Sequence, residues 1–114
     1  ADLHEIARQS SACAVDPTNP FEWSISRNKL TISGDYSCRL NAELDFEGSF
    51  EGEEYKFLLG CDYSLLAISV LKGVSSDGKI GLSFGDEKTP VILDGVTSGG
   101  TILEIIVNPS YAAD

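Results

Sequence analysis

Apolar and polar residues alternate with a period of two over several short stretches of the chain, which is typical of half-buried β-strands. The clearest pair covers 21–25 and 30–32, and the Arg27-Asn28-Lys29 turn between them predicts a hairpin. Further strands are predicted at 40–46, 55–59, 80–84 and 90–93. The segment 101–107 (TILEIIV) favours β-structure most strongly, and its apolar character on both faces predicts a position deep in a sheet.

Two other stretches have apolar residues at helical spacing. The first runs from Leu3 to Val15, with Asp2 as a plausible cap and two prolines shortly after its end. The second covers 63–72, with Asp62 as the predicted N-cap. The order is helix, about four strands, helix, about three strands, with short turns between the strands. It predicts an α+β fold with two helices packed on one face of a mostly antiparallel sheet.

Length and charge narrow the class of protein. The 114 residues fit a single domain, 1–114, and the start without Met, almost inside a helix, suggests a piece of a longer chain. The net charge of −10 repels phosphate, so tight binding of nucleic acid through bulk charge is not expected, although a local basic face is still compatible. No apolar run approaches the roughly 18 residues of a membrane span, so no membrane partner is expected.

The cysteines and the single histidine do not form a catalytic or metal-binding pattern. Cys13, Cys38 and Cys61 lack CxxC spacing, which favours reduced, buried thiols in a cytoplasmic protein. Cys61 precedes the second helix, whose N-terminal dipole could lower the pKa of its thiol, but a nucleophile would also need a histidine partner. The only histidine, His4, is predicted on an exposed helix face.

Glycine-rich and acidic stretches are interpreted as turns. The glycines at 95, 99 and 100 lack the order of a phosphate-binding loop, and the acidic segment 47–54 lacks the alternating ligands of a calcium loop. The sequence therefore predicts a protein that is not an enzyme and that needs no cofactor or metal.

Taken together, the pattern resembles one domain of a DNA sliding clamp, the processivity factor of replicative polymerases. It is most similar to the C-terminal domain of the bacterial DNA polymerase III β subunit, and the resemblance covers nearly the whole chain. Order and spacing carry it through four segments: FEWSISRNKLTISG at 21–34, LLGCDYSLLAISVLKG at 58–73, KIGLSFGDEKTPVILDG at 79–95 and EIIVNPSY at 104–111.

The resemblance implies a role without catalysis. Clamp domains close into a homo-oligomeric ring of six domains around duplex DNA, with helices lining the hole and sheets forming the outer wall. On this interpretation four side chains on the two helices face the DNA: Arg8, Lys72, His4 and Gln9. Sliding needs only weak, non-specific contacts with phosphates, which is compatible with an acidic chain.

The resemblance also implies a groove for short peptides of DNA polymerase and the clamp loader. Carried onto this chain, one wall of that groove comprises Val107, Asn108, Pro109 and Ser110. The family commonly has Met around this proline, whereas this chain contains none, so the groove is absent or differs in specificity. Ring closure further requires an exposed edge strand, for which 102–107 and 80–84 are the two candidates.

Two other classes remain open from the sequence. One is an acidic, β-rich module that binds a protein or a carbohydrate, which the net charge and the thin basic face favour. The other is a hydrolase that uses Cys61 as nucleophile. The pair of amphipathic helices favours the clamp, because an extracellular β-sandwich does not need them.

Overall fold

Two helices and seven strands account for most of the described chain. A computed structural model describes residues 2–48, 52 and 54–110, and its elements follow one another in this order: α1 (Leu3–Cys13), β1 (Pro20–Ser26), β2 (Lys29–Asp35), β3 (Arg39–Asp45), β4 (Glu54–Gly60), α2 (Cys61–Val74), β5 (Gly81–Ser83), β6 (Val91–Val96) and β7 (Ile102–Val107). The predicted α+β fold with antiparallel strands is confirmed. The predicted hairpin is present as well, with Trp23 opposite Ile32.

The strands form two sheets rather than the single sheet expected from the sequence. The first has the order β3-β2-β1-β4, and the second has the order β5-β6-β7. A helix followed by three antiparallel strands thus occurs twice, as α1-β1-β2-β3 and as α2-β5-β6-β7. The strand that precedes α2, β4, pairs with β1 of the first unit and joins the two units.

Helix α1 is stopped by a side chain that lies beyond it. Its N-cap agrees with the prediction, because the Asp2 carboxylate accepts the Glu5 backbone N–H at 2.8 Å. The helix ends at Cys13, two residues before the predicted Val15. The amide oxygen of Asn19 accepts the backbone N–H groups of Val15 and Asp16 at 2.9 and 2.8 Å, which holds both residues outside the helix.

Helix α2 begins without a side-chain cap, so the prediction of Asp62 as N-cap is wrong. The N-cap is Gly60, and Asp62 lies within the first turn. The loop after α1 replaces the cap: the backbone N–H of Cys61 donates to the Asn19 carbonyl at 3.0 Å, and that of Asp62 donates to the Pro17 carbonyl at 3.1 Å. Backbone carbonyls therefore satisfy the free N–H groups that a side chain usually satisfies.

The hydrophobic core joins both sheets and both helices. Trp23 and Phe57 stack across β1 and β4 with ring centroids 6.0 Å apart, and both side chains are buried. Ile6 of α1 and Ile68 of α2 are fully buried in the same cluster. The two helices lie side by side and contact each other, so they share one flank of the domain. Each therefore keeps one face toward solvent.

Two strand predictions need correction or extension. Strand β7 is an edge strand, not a deep one, and Ile102 and Ile106 are each 64% exposed. Its burial alternates along the strand, so one face of β7 meets solvent while the other is partly buried. Strand β6 continues through Asp94 and Gly95, which the sequence had suggested as the start of a turn. Half of the acidic segment 47–54, which was predicted as a surface turn, lies outside the described residues.

Candidate functional site

The first candidate site is the junction where the N-terminus of α1 meets the last turn of α2. Lys72 donates to Nδ1 of His4 at 3.4 Å, and Nε2 of His4 lies 3.3 Å from the Ser69 hydroxyl. The lysine ammonium group is a donor only, so this geometry requires the histidine tautomer with its proton on Nε2. His4 is therefore half-buried between the helices and not on the open face that its spacing predicted.

A carboxylate completes this junction. Asp2 lies 3.9 Å from the Lys72 ammonium group. The Glu5 backbone N–H holds the pKa of the Asp2 carboxyl below its ordinary value, and the nearby Lys72 charge lowers it further. Both side chains are exposed, so this ion pair is weak, and Lys72 remains free to exchange it for a phosphate.

Arg8 and Gln9 lie on α1, and both are exposed. Arg8 makes no ion pair within the part of the chain that the structure describes. The structure thus brings His4 and Lys72 into contact, and Arg8 lies one helical turn after His4 on the same side of α1. These four residues were the predicted DNA-facing set.

The solvent face of α2 is apolar, which the sequence analysis did not identify. Tyr63, Leu66 and Val70 are 64%, 62% and 39% exposed, and their spacing of three and four residues places them on one face. The buried face carries Ser64, Ala67 and Ile68 and residues a turn on either side. The sequence did indicate this face, because the apolar residues of α2 are distributed around most of the helix. A helix of that kind has more apolar surface than one core can cover.

A large cleft lies between the open ends of the two sheets. It has a volume of about 870 Å³, and its apolar walls include Ile25 and Leu44 of the first sheet and Leu82 of β5. Lys72, His4 and Asp2 lie at its rim, so the helix junction borders the cleft. No motif in the sequence marks this cleft, because its walls come from strands far apart in the chain.

The predicted peptide-groove residues form a segment that crosses from the second sheet to the first. Val107 and Pro109 are buried, and Asn108 is exposed. The backbone N–H of Ser110 donates to the Leu58 carbonyl at 2.7 Å, which adds a single bridge to the free edge of β4. The segment therefore does not border the large cleft, and Asn108 is its most accessible side chain.

The structure argues against Cys61 as an activated nucleophile. Its thiol is buried and donates to the Pro17 carbonyl at 3.1 Å. Burial raises the pKa of this thiol, and the Asp62 carboxylate beside it raises the pKa further. The only histidine contacts Ser69 and Lys72 instead. The expected lowering by the helix dipole is therefore outweighed by burial and a neighbouring negative charge.

The described residues contain neither a metal-binding cluster nor a membrane-spanning helix. No cluster of three His, Cys, Asp or Glu side chains within 2–48, 52 and 54–110 is arranged to hold a metal ion. Neither helix in those ranges has the length and hydropathy that are needed to cross a bilayer.

Comparison with known proteins gives a consistent structural answer. No family model and no curated protein matches the sequence. Among solved structures, the DNA polymerase III subunit beta of Pseudomonas aeruginosa aligns with a TM-score of 0.77 at 13% identity, over 96% of this chain and 29% of that one. The Proliferating Cellular Nuclear Antigen of Entamoeba histolytica aligns with a TM-score of 0.75 at 15% identity, over 96% of this chain and 42% of that one.

A third match is to the PCNA2-PCNA3 complex of Sulfolobus tokodaii, with a TM-score of 0.70 at 16% identity, over 93% of this chain and 42% of the matched chain. This chain therefore spans less than half the length of each of these three matched chains. At these identities the likeness is one of fold. The chain has the fold of a DNA sliding-clamp domain.

Proposed function

We propose that this chain is one domain of a DNA sliding clamp that encircles duplex DNA without catalysis and tethers a replicative polymerase in the cytoplasm. The observation that carries the proposal is the alignment with a polymerase III beta subunit over 96% of this chain at a TM-score of 0.77. Two helices on one flank of the sheets support it further, because a ring with helices inside needs that arrangement.

Ring formation is proposed through the sheet edges. Strands β3 and β7 each end a sheet, and their outer edges have no paired neighbour among the described residues. The edge of β4 is partly occupied by the bridge to Ser110, and β5 is only three residues long. Of the two edges suggested by the sequence, β7 is thus the better one for pairing with another subunit, and its exposed Ile102 and Ile106 favour such a contact.

The DNA contacts are proposed to come from Arg8 and Lys72, with His4 and Gln9 as lesser contributors. Replacing both cations by glutamate changes the net charge from −10 to −14. The matched control is Arg39→Glu with Lys56→Glu, which makes the same change on exposed strand positions. Both variants should be made in the intact protein that contains this domain, because the ring is a property of that protein.

The readout is residence on circular duplex DNA and on the same DNA after linearisation. A topological tether stays on the circle and leaves from free ends, whereas an electrostatic binder does not distinguish the two. We expect the Arg8 and Lys72 variant to load less well than the control variant on the circle. A protein that leaves circular and linear DNA equally fast is not a clamp, and equal loading of both variants removes Arg8 and Lys72 from the hole.

The peptide groove is proposed at Val107, Asn108, Pro109 and Ser110, the segment that crosses between the sheets. Its exposed member, Asn108, can be changed without disturbing the buried proline or the Ser110 bridge. We expect Asn108→Arg to weaken binding of clamp-binding peptides from DNA polymerase or the clamp loader. Unchanged peptide affinity would place that groove elsewhere on the domain.

A second candidate function is an acidic module that binds a protein partner through the helix layer. The observation that favours it is the apolar stripe of Tyr63, Leu66 and Val70, which is unsuited to a phosphate surface. Loss of partner binding in Leu66→Glu, together with unaltered residence on circular DNA, would favour this role of the helix layer over the DNA-facing role.

A further inference from the structure

The end of α1 and the turn between β2 and β3 bring two cysteines together. Cys13 is the last residue of α1 and is 1% exposed, whereas Cys38 lies in the turn and is exposed. The Cys13 thiol donates to the Cys38 carbonyl. The Cys13 side chain also lies close enough to that of Cys38 to raise the pKa of the Cys38 thiol. The two sulfur atoms are therefore neighbours, although 24 residues separate them in the sequence.

The backbone around this pair is firmly held. The Ser37 backbone N–H donates to the Cys13 carbonyl at 2.9 Å, and the Ser37 hydroxyl donates to the same oxygen. The Tyr36 backbone N–H donates to the Cys38 carbonyl at 3.0 Å. An ion pair of 3.3 Å between Arg39 and Asp35 closes the base of the turn. Both cysteines are therefore held at the backbone, which keeps their side chains close to each other.

We propose that Cys13 and Cys38 form a reversible intramolecular disulfide, with Cys38 as the entry thiol and Cys13 as the resolving thiol. The oxidant is a low-molecular-weight disulfide such as glutathione disulfide. The Cys38 thiolate attacks one sulfur of glutathione disulfide, which forms a mixed disulfide and releases one glutathione thiolate. The Cys13 thiol then loses its proton and attacks the Cys38 sulfur, which releases the second glutathione. Two protein thiols are oxidised, and one glutathione disulfide is reduced to two glutathione molecules.

The assignment of roles follows from accessibility. Only Cys38 is exposed, so only this thiol can meet the oxidant from solution. The neighbouring Cys13 side chain raises the pKa of the Cys38 thiol by favouring its protonated form, and the Asp35 carboxylate adds to this, while Ser37 opposes it. The first step should therefore accelerate as the pH rises from about 7 to 9, because more thiolate is present.

The third cysteine provides a matched control. Cys61 is buried, and its thiol donates to the Pro17 carbonyl instead of to another cysteine. Cys61→Ser should oxidise like the unaltered protein. Cys38→Ser should keep its buried thiols free. Cys13→Ser should keep one glutathione on Cys38, because no thiol is present to release it.

The test is incubation of the folded chain with glutathione disulfide, followed by intact mass and peptide mapping. We expect the loss of two hydrogen atoms without retained glutathione, a linked pair of peptides that contain Cys13 and Cys38, and reversal by a dithiol reductant. Thermal unfolding should shift to higher temperature on oxidation in the unaltered protein and in Cys61→Ser, but not in Cys38→Ser.

Any one of three results would overturn the proposal: glutathione that stays bound to Cys38 in the unaltered protein, a dimer linked through Cys38 of two chains, or no oxidation of either thiol. Cys13 is buried, so the Cys13→Ser variant risks misfolding. Peptide mapping of the unaltered protein and of Cys38→Ser shows whether the disulfide forms without using that variant. The proposal does not depend on the clamp role, because every readout concerns the isolated chain.

Discussion

Replacing Ile68 by alanine tests which face of α2 packs against the core. Ile68 is fully buried in the cluster that joins the helices to both sheets. Leu66, two residues earlier on the same helix, is 62% exposed and serves as a matched control of nearly equal size. Both changes remove three carbon atoms and place alanine at an interior helical position, so they differ mainly in burial.

The expected losses follow from the number of buried carbon atoms. Each buried carbon that Ile68 loses costs ~0.8 kcal/mol in transfer free energy, which makes about 2.4 kcal/mol for three. An unfilled cavity adds to this, and the better helix propensity of alanine returns about 0.4 kcal/mol, so a loss of about 3 kcal/mol in the free energy of unfolding is expected. Leu66→Ala should lose less than about 1 kcal/mol, because most of that side chain is already in water.

Urea denaturation measures both values. The chain has one tryptophan, Trp23, which is 2% exposed, so its fluorescence reports unfolding of the core. A loss of about 3 kcal/mol lowers the denaturation midpoint by about 1–3 M, provided that the slope is unchanged. Equal losses for the two variants, or a larger loss for Leu66→Ala, would refute the assigned orientation of α2 and with it the exposed apolar stripe.

Two further predictions concern hydrogen bonds of single residues. The Tyr36 hydroxyl donates to the Pro20 carbonyl, so Tyr36→Phe should cost about 1–2 kcal/mol. Burial raises the pKa of Tyr36. The Tyr36 contribution to the free energy of unfolding is therefore complete below the unfolded pKa near 10 and is lost as pH rises through the folded pKa. Chemical denaturation between about pH 8 and 11 should show a smaller decline in the free energy of unfolding for Tyr36→Phe than for the unaltered chain. The Thr18 backbone N–H and hydroxyl lower the pKa of Asp16, so its contribution is complete above the unfolded pKa near 4 and is lost as pH falls through the folded pKa. Asp16→Asn should therefore reduce stability at neutral pH and flatten the acid side of the profile, and acid profiles that run parallel for Asp16→Asn and the unaltered chain would contradict this.

The strands were largely predictable because each is short and alternates in polarity. The arrangement of the strands was not, since alternation identifies a face but not a neighbour. Strand β7 shows the difference: its apolar residues on both faces are typical of a central strand, yet β7 ends a sheet and exposes Ile102 and Ile106. An apolar face looks the same in the sequence whether a second layer covers it or solvent meets it, and alternation says nothing about which strand lies at an edge.

For the candidate site, the sequence predicted the exposure of some single residues but not the contacts between them. Helical spacing placed Arg8 on the outer face of α1, and it is exposed, whereas His4, placed on the same face, is half-buried. The contact between His4 and Lys72 joins residues 68 positions apart and depends on how the two helices pack, which no local pattern encodes. The cap of α2 was missed for a similar reason, because its partners are carbonyls of the loop after α1.

Under the proposed clamp function, the placement of charge favours weak contacts with DNA over tight binding. Of the eight lysines and arginines, only Arg8 and Lys72 lie on helices, and Lys72 already has Asp2 beside it. If the helices line a hole around DNA, this domain supplies at most two cations against a net charge of −10, far too few for tight binding to duplex DNA. A closed ring does not need tight binding, because its residence on a circle is set by how often the ring opens. Weak contacts then become an advantage, since each phosphate contact must break whenever the clamp moves along the duplex.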